Sequence, residues 1–200
     1  TYVIMDNDFS GSGYSTNGIA AARVTIAHEL HHSIQMGNYI YRPADSFYHE
    51  ATSTAMEELV YDEVNDYYSY ISSYFNNLGK TISSFSGYGL AIWNIYLKDR
   101  LGVEVIKEVW EEMQNMRAVE AFSTVLARHN TSLKVEFNLF GLWCYFTGSR
   151  YVPGSYFEEA ANYPLVKTAM VTEFVKPTTT LKITTAPVTN NFYEFIDSNN

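Results

Sequence analysis

The stretch Ile26-Ala27-His28-Glu29-Leu30-His31-His32-Ser33-Ile34-Gln35 decides the reading of this 200-residue chain. It sits in a longer segment where Ile19, Ala22, Ile26, Leu30 and Ile34 recur every three or four residues, the pattern of one apolar helical face. Gly37 is expected to close that helix, and Ala20, Ala21 and Ala27 on its other faces suit an enclosed position. On this reading the histidines lie on a face away from the main apolar stripe. Residues four apart stack on one side of a helix, so His28 and His32 can present two imidazole nitrogens to one tetrahedral zinc ion. Glu29 then projects beside the metal. From there it can take a proton from a zinc-bound water, whose pKa the ion lowers towards about 7, and return it to a leaving amine. His31 is also a helical neighbour of His28, but only the His28 and His32 pair gives Glu29 this place. His31 is therefore expected in a supporting or surface position.

A third protein ligand has to come from elsewhere. The metzincin pattern requires Gly three and His six residues past the second histidine, and here those positions hold Gln35 and Asn38. A glutamate from the next helix, expected over residues 46–70, is the alternative. Glu50 is favoured because the small residues Ala51, Thr52, Ser53, Thr54 and Ala55 follow it. They would let the second helix approach closely enough for a carboxylate to reach a metal at about 2 Å. Glu57, two turns on along nearly the same face, and His49 are the other candidates. Glu57 and Glu58 otherwise read as an acidic face or as partners that orient the ligands.

Outward from this pair, Thr1 to Met5 is β-branched and aromatic and is expected as a strand leading into the glycine-rich loop Ser10 to Gly18. Tyr88 to Leu101 and Val103 to Met116 read as helices parted by Gly102. Val119 to Ala127 and Val135 to Phe146 read as two more, the last closed by Gly148. Lys167 to Val175, Thr179 to Thr185 and Phe192 to Ile196 are β-prone and are interrupted by Pro177 and Pro187. The expected class is α+β, mostly helical. A helical domain over 1–165 would precede a β-rich segment over 166–200, the start of a further domain or a C-terminal appendage. Asp6, Asp8, Ser10 and Gly11 imitate the start of a calcium loop, but its twelfth position is Asn17 rather than a bidentate Glu, so an Asx-rich turn is expected.

Composition narrows the function classes. A net charge of −9, with no cluster of Lys and Arg, argues against binding a nucleic-acid backbone. No apolar run approaches the roughly 18 to 20 residues that span a bilayer. The single cysteine, Cys144, lies in the apolar run Phe140 to Phe146 and is expected to be a buried, inert thiol. With no initiator Met and no signal peptide ahead of Thr1, the chain reads as a mature or excised segment, and its 17 tyrosines suit the wettable surface of a secreted protein.

The segments Ile26 to Gln35 and Glu50-Ala51-Thr52-Ser53-Thr54-Ala55-Met56-Glu57-Glu58 together resemble the gluzincin metallopeptidases, and more narrowly a group of metalloproteases secreted by bacteria. Tyr88-Gly89, Trp93, Tyr96-Leu97, Gly102 and Trp110 are spaced like the following helices of that group, and Trp143 to Gly148 and Tyr156 to Ala160 are similar too. The resemblance covers residues 1–165 or so. It implies a zincin-like domain at the cell surface or outside the cell, with His28, His32 and Glu50 binding zinc and Glu29 as general base and acid. It also implies a Tyr or His that hydrogen-bonds the oxyanion; Tyr88 matches best and His129 is the second candidate. The strand over residues 1–5 would pair with an extended peptide or protein substrate. The expected activity is endopeptidase; the alternative is a catalytically inactive domain of the same fold acting as a binding or adhesion module.

Overall fold

Helix α1 (Gly18–Asn38) and helix α2 (Ser46–Val60) pack along each other and carry the histidine segment. A computed structural model describes residues 2–174 and 178–197. Among these the chain is mostly helical, continuing with α3 (Tyr68–Phe75), α4 (Ala91–Leu101), α5 (Glu104–Met113), α6 (Ala118–Arg128) and α7 (Leu133–Tyr145). Two short strands close it: β1 (Met170–Phe174) pairs in parallel with β2 (Tyr193–Asp197), Met170 opposite Tyr193 and Phe174 opposite Asp197. No helix among the described residues is long and apolar enough to cross a membrane.

The helix expected over 46–70 is two helices. Asp62, Asn65 and Asp66 lie between them, residue types whose side chains compete for backbone groups and favour turns. The Val64 N–H bonds the Tyr61 carbonyl, and the Ser69 hydroxyl donates to the Asp66 carbonyl. At the other end of α2, buried Asp45 accepts from Arg117 Nε at 2.8 Å, which ties the start of α2 to the N-terminus of α6.

Helix α4 is the centre of the core. Ala91 to Leu97 are buried without a break, the pattern of a helix enclosed on all sides. Helix α5 instead buries only Val105, Ile106, Val109, Trp110 and Met113, one face at helical spacing. Aromatic rings fill the space between helices: Tyr48 stacks on Trp110 at 5.6 Å and meets Phe122 edge-on at 4.9 Å, and Trp93 meets Phe140 edge-on at 5.2 Å. Cys144 is fully buried, and burial pushes its thiol well above the usual range, so it stays protonated and inert.

Helix α1 is turned over relative to its sequence pattern. Ile19 is 73% exposed and Leu30 55%, and Ile26 and Ile34 are exposed as well. The buried residues are Ala21, Val24, Ala27, His28 and Gln35. The cause is the partner surface. Helix α2 turns the hydroxyls of Thr52 and Ser53 towards α1, and this small, polar surface accepts α1's hydrogen-bonding face rather than its isoleucines.

The β-prone ends also differ from expectation. Residues 2–5 form no strand, since a β-branched run needs a partner edge to become one. Thr1 lies outside the described residues, as do 175–177. Residues 179–185 are not a strand either. The segment after residue 165 is bonded to the helical part: Lys167 N–H to the Phe75 carbonyl, Ile82 N–H to Val188, and Asn190 N–H to Leu78. Leu30→Gln is expected to change stability by no more than about 0.5 kcal/mol. Phe122→Ala should cost about 3–5 kcal/mol. Urea unfolding of both variants checks which face of the helical layer carries the core.

Candidate metal centre

Helical spacing puts His28 and His32 on one side of α1, and the small residues of α2 bring that side against Glu50. Both imidazole Nε2 atoms point at the same carboxylate oxygen: Glu50 Oε2 lies 3.3 Å from His28 Nε2 and 3.4 Å from His32 Nε2. Three potential ligand atoms thus converge from two helices. Their rear faces are fixed as well. His28 Nδ1 is 2.7 Å from Glu57 Oε1 and His32 Nδ1 is 2.8 Å from Gln35 Oε1. These contacts hold both Nδ1 atoms from behind and leave both Nε2 atoms, the ones a metal would use, facing Glu50.

Gln35 is the organiser that sequence reading treated only as a departure from another pattern. It is fully buried, and its Oε1 also accepts from His49 Nδ1 at 3.1 Å. Its Nε2 donates to His31 Nδ1 at 2.8 Å and to the His49 carbonyl at 3.0 Å. Ser53 Oγ lies 3.0 Å from His31 Nδ1 and 3.1 Å from His32 Nδ1. A signal was available: His28, His31, His32 and Gln35 form one polar stripe at helical spacing.

Burial and hydrogen bonding set the charges. Burial opposes protonation of His28, but its bonds to Glu50 and Glu57 outweigh that and hold its pKa at about 9. Burial likewise opposes the Glu50 charge, and the bonds from His28, His32 and Tyr88 overcome it, keeping the carboxyl well below its usual range. His31 and His49 go the other way, to about 4, through burial and the neighbouring His32. The ligand group is therefore one carboxylate facing two imidazoles, with two further imidazoles held neutral behind it.

Glu29 and Tyr88 line a cleft of about 190 Å³ beside His28, together with Tyr14, Asp66 and Tyr70. The Tyr88 ring stacks on His28 with centroids 5.7 Å apart, and its hydroxyl interacts with the Glu50 carboxylate. Burial and that negative charge raise the phenol pKa, so it stays a hydrogen-bond donor. Gly87 and Gly89 set its position. A Cβ on Gly87, whose φ is +118°, would lie 2.3 Å from the Phe47 carbonyl and 2.5 Å from Glu50 Cβ. A Cβ on Gly89 would lie 2.2 Å from Ser73 Oγ. Only glycine lets the backbone pass this close to α2 and α3.

Other candidates fall outside this group. Glu57 meets His28 at Nδ1 rather than Nε2, and His49 serves Gln35 and packs edge-on to Trp110 at 4.8 Å. Glu58 points to a separate carboxylate group with Asp62 and Glu159. His129 pairs with Glu108 at 2.9 Å and does not line the cleft. Asp6 Oδ1 accepts from the Asp8 N–H and Asp8 Oδ1 from the Ser10 N–H, the Asx turn that was expected.

Residues 9–138 match a family of unknown function, DUF6055. The chain belongs to the DUF6055 family. The match contains His28, Glu29, His32, Glu50, Glu57 and Tyr88, so the whole cluster lies within the family's shared region. No curated protein and no solved structure matches the chain. Gln35→Leu leaves His49 Nδ1 without its acceptor and His31 and His32 with Ser53 alone, at a cost of about 1–3 kcal/mol for each buried group left unpaired. Its urea midpoint is expected to fall well below that of the parent protein.

Proposed function

We propose that this domain is a zinc-dependent endopeptidase in which His28, His32 and Glu50 hold the ion and Glu29 moves the proton. One observation carries the reading. Glu50 Oε2 lies 3.3 and 3.4 Å from the Nε2 atoms of two imidazoles whose Nδ1 atoms are engaged by Glu57 and Gln35, so three ligand atoms from two helices meet at one point. Without a metal this convergence favours protonated imidazoles against the Glu50 charge, and a cation can take the place of those protons among the same three ligand atoms. The donor set, two imidazoles and one carboxylate, is one that zinc accepts. When bound there, zinc supplies a Lewis acid that polarises a peptide carbonyl and makes water acidic near neutral pH.

The residues around it have separable tasks. The Glu29 carboxylate, at the cleft wall beside His28, takes a proton from the attacking water and passes it to the departing amine nitrogen. The protonated Tyr88 phenol donates a hydrogen bond to the oxygen that becomes negative as the carbonyl carbon turns tetrahedral. Glu57 and Gln35 hold the two imidazoles in register. His31, neutral through burial, adds no competing positive charge. The acidic composition and the single buried cysteine are compatible with work outside the cell or at its surface.

The purified protein is expected to contain one equivalent of zinc by elemental analysis and to cleave a mixed peptide library until a chelator is added. Glu29→Gln should abolish cleavage while zinc stays bound; unchanged cleavage would overturn the mechanism. Zinc retention without any cleavage by the parent protein would favour a binding module. Tyr88→Phe should keep the zinc and lower kcat by about 10²–10³-fold, the usual loss for one oxyanion donor. Steady-state kinetics on a cleaved library peptide measures it.

A further inference from the structure

One residue on from Glu57, and so about 100° round α2, Glu58 faces a different group. Glu58, Asp62 and Glu159 each offer a carboxylate oxygen, and these oxygens lie within 4.8 Å of one another. Acidic clusters are common on surfaces; Glu58 sets this one apart. It is only 5% exposed, and its buried Oε2 accepts no hydrogen bond. The Lys98 ammonium is close enough to feel the Glu58 charge, but it pairs at 2.9 Å with Asp99. Phenols hold the third carboxylate in place: Tyr163 OH is 2.6 Å from Tyr67 OH, and the Tyr67 hydroxyl donates to Glu159 Oε2 at 3.2 Å.

Three carboxylates cannot all stay ionised around a buried oxygen without compensation. Burial first, then the charges of Glu159 and Asp62, push the Glu58 carboxyl up to about 9. The group must therefore take up a proton or a cation. We propose that Glu58, Asp62 and Glu159 form a second cation site, for a hard divalent ion of the calcium and magnesium class. The donors are all oxygens, which suits calcium or magnesium rather than a softer metal. Asp62 is exposed, which gives the ion an entry path and leaves coordination positions for water. The site would clamp the end of α2 to the segment around residue 159 and needs no part of the zinc chemistry.

Terbium(III) luminescence excited through the tyrosines is the direct probe, because Tyr67 touches the site. Run on the whole chain supplied with zinc, the parent protein is expected to give a saturable signal displaced by calcium. Calcium should act at an affinity on the order of 10⁻⁴ to 10⁻³ M, the range of modules with few protein ligands. It should also raise the thermal unfolding temperature. Asp62→Asn, an exposed and isosteric change, and Glu159→Gln should each lose the signal and the calcium shift while keeping the helical circular dichroism of the parent. His28→Ala should keep both. A parent protein with no displaceable signal, or one whose unfolding temperature calcium does not move, overturns the proposal. So does a signal that survives both carboxylate variants, or one that disappears with His28→Ala, which would assign the ion to the histidine centre.

Discussion

The contact between α1 and α2 is the constraint on which the rest depends. Two helices can pack closely only where their facing side chains are small, and α2 turns Thr52 and Ser53 towards α1. Close approach then imposes a second requirement. The polar atoms carried into the interface must be satisfied there, since water no longer reaches them. Gln35 meets most of that demand with two donors and a twice-used acceptor, linking His31, His32 and His49 to the backbone of α2. What it leaves over is Glu50 Oε2 between two imidazole nitrogens. The packing of the helices and the candidate metal centre are thus one arrangement, described at two scales.

The aromatic core stiffens this arrangement from behind. Trp110 of α5 meets His31 edge-on at 6.2 Å and His49 at 4.8 Å, and Tyr48 of α2 stacks on the same indole. Rings with few rotatable bonds hold the second layer of imidazoles without adding charge to it. The Tyr88 side is held differently, by backbone rather than by rings. Gly87 presses against the carbonyl of Phe47 and the Cβ of Glu50, so the residue that carries the phenol and the helix that carries the carboxylate cannot move independently.

Much of this was legible in the sequence, and the failures share one cause. The His28, Glu29 and His32 spacing needs only helix geometry to place two imidazoles together, and the small residues after Glu50 announced a close helix contact. The burial of α1 was read the wrong way round because periodicity assumes that the apolar face is the inner one. Here the partner is polar and small, so His28 and Gln35 go inward while Ile19 and Leu30 stay outside. Gln35 and Gly87 were missed for a related reason. Their roles are set by what stands opposite them in space, at Ser53, His49 and Phe47, and no pattern within their own segments encodes that. Residues 2–5 and 179–185 have strand composition without a strand, since a ladder requires a second edge that local propensity cannot supply.

Helix α2 shows how consecutive acidic residues come to serve different centres. Successive side chains on a helix diverge by about 100°, so Glu57 and Glu58 cannot face one group, although they read as a single acidic patch. Glu57 shares a face with Glu50, two turns away, and reaches the back of His28. Glu58 is turned towards Asp62, in the turn that splits α2 from α3, and towards Glu159. The turn after Tyr61 carries the chain to Tyr67, whose hydroxyl pairs with Tyr163 and donates to Glu159 Oε2. The same short turn ends one helix, positions a carboxylate, and brings the phenol chain that orients Glu159 into reach.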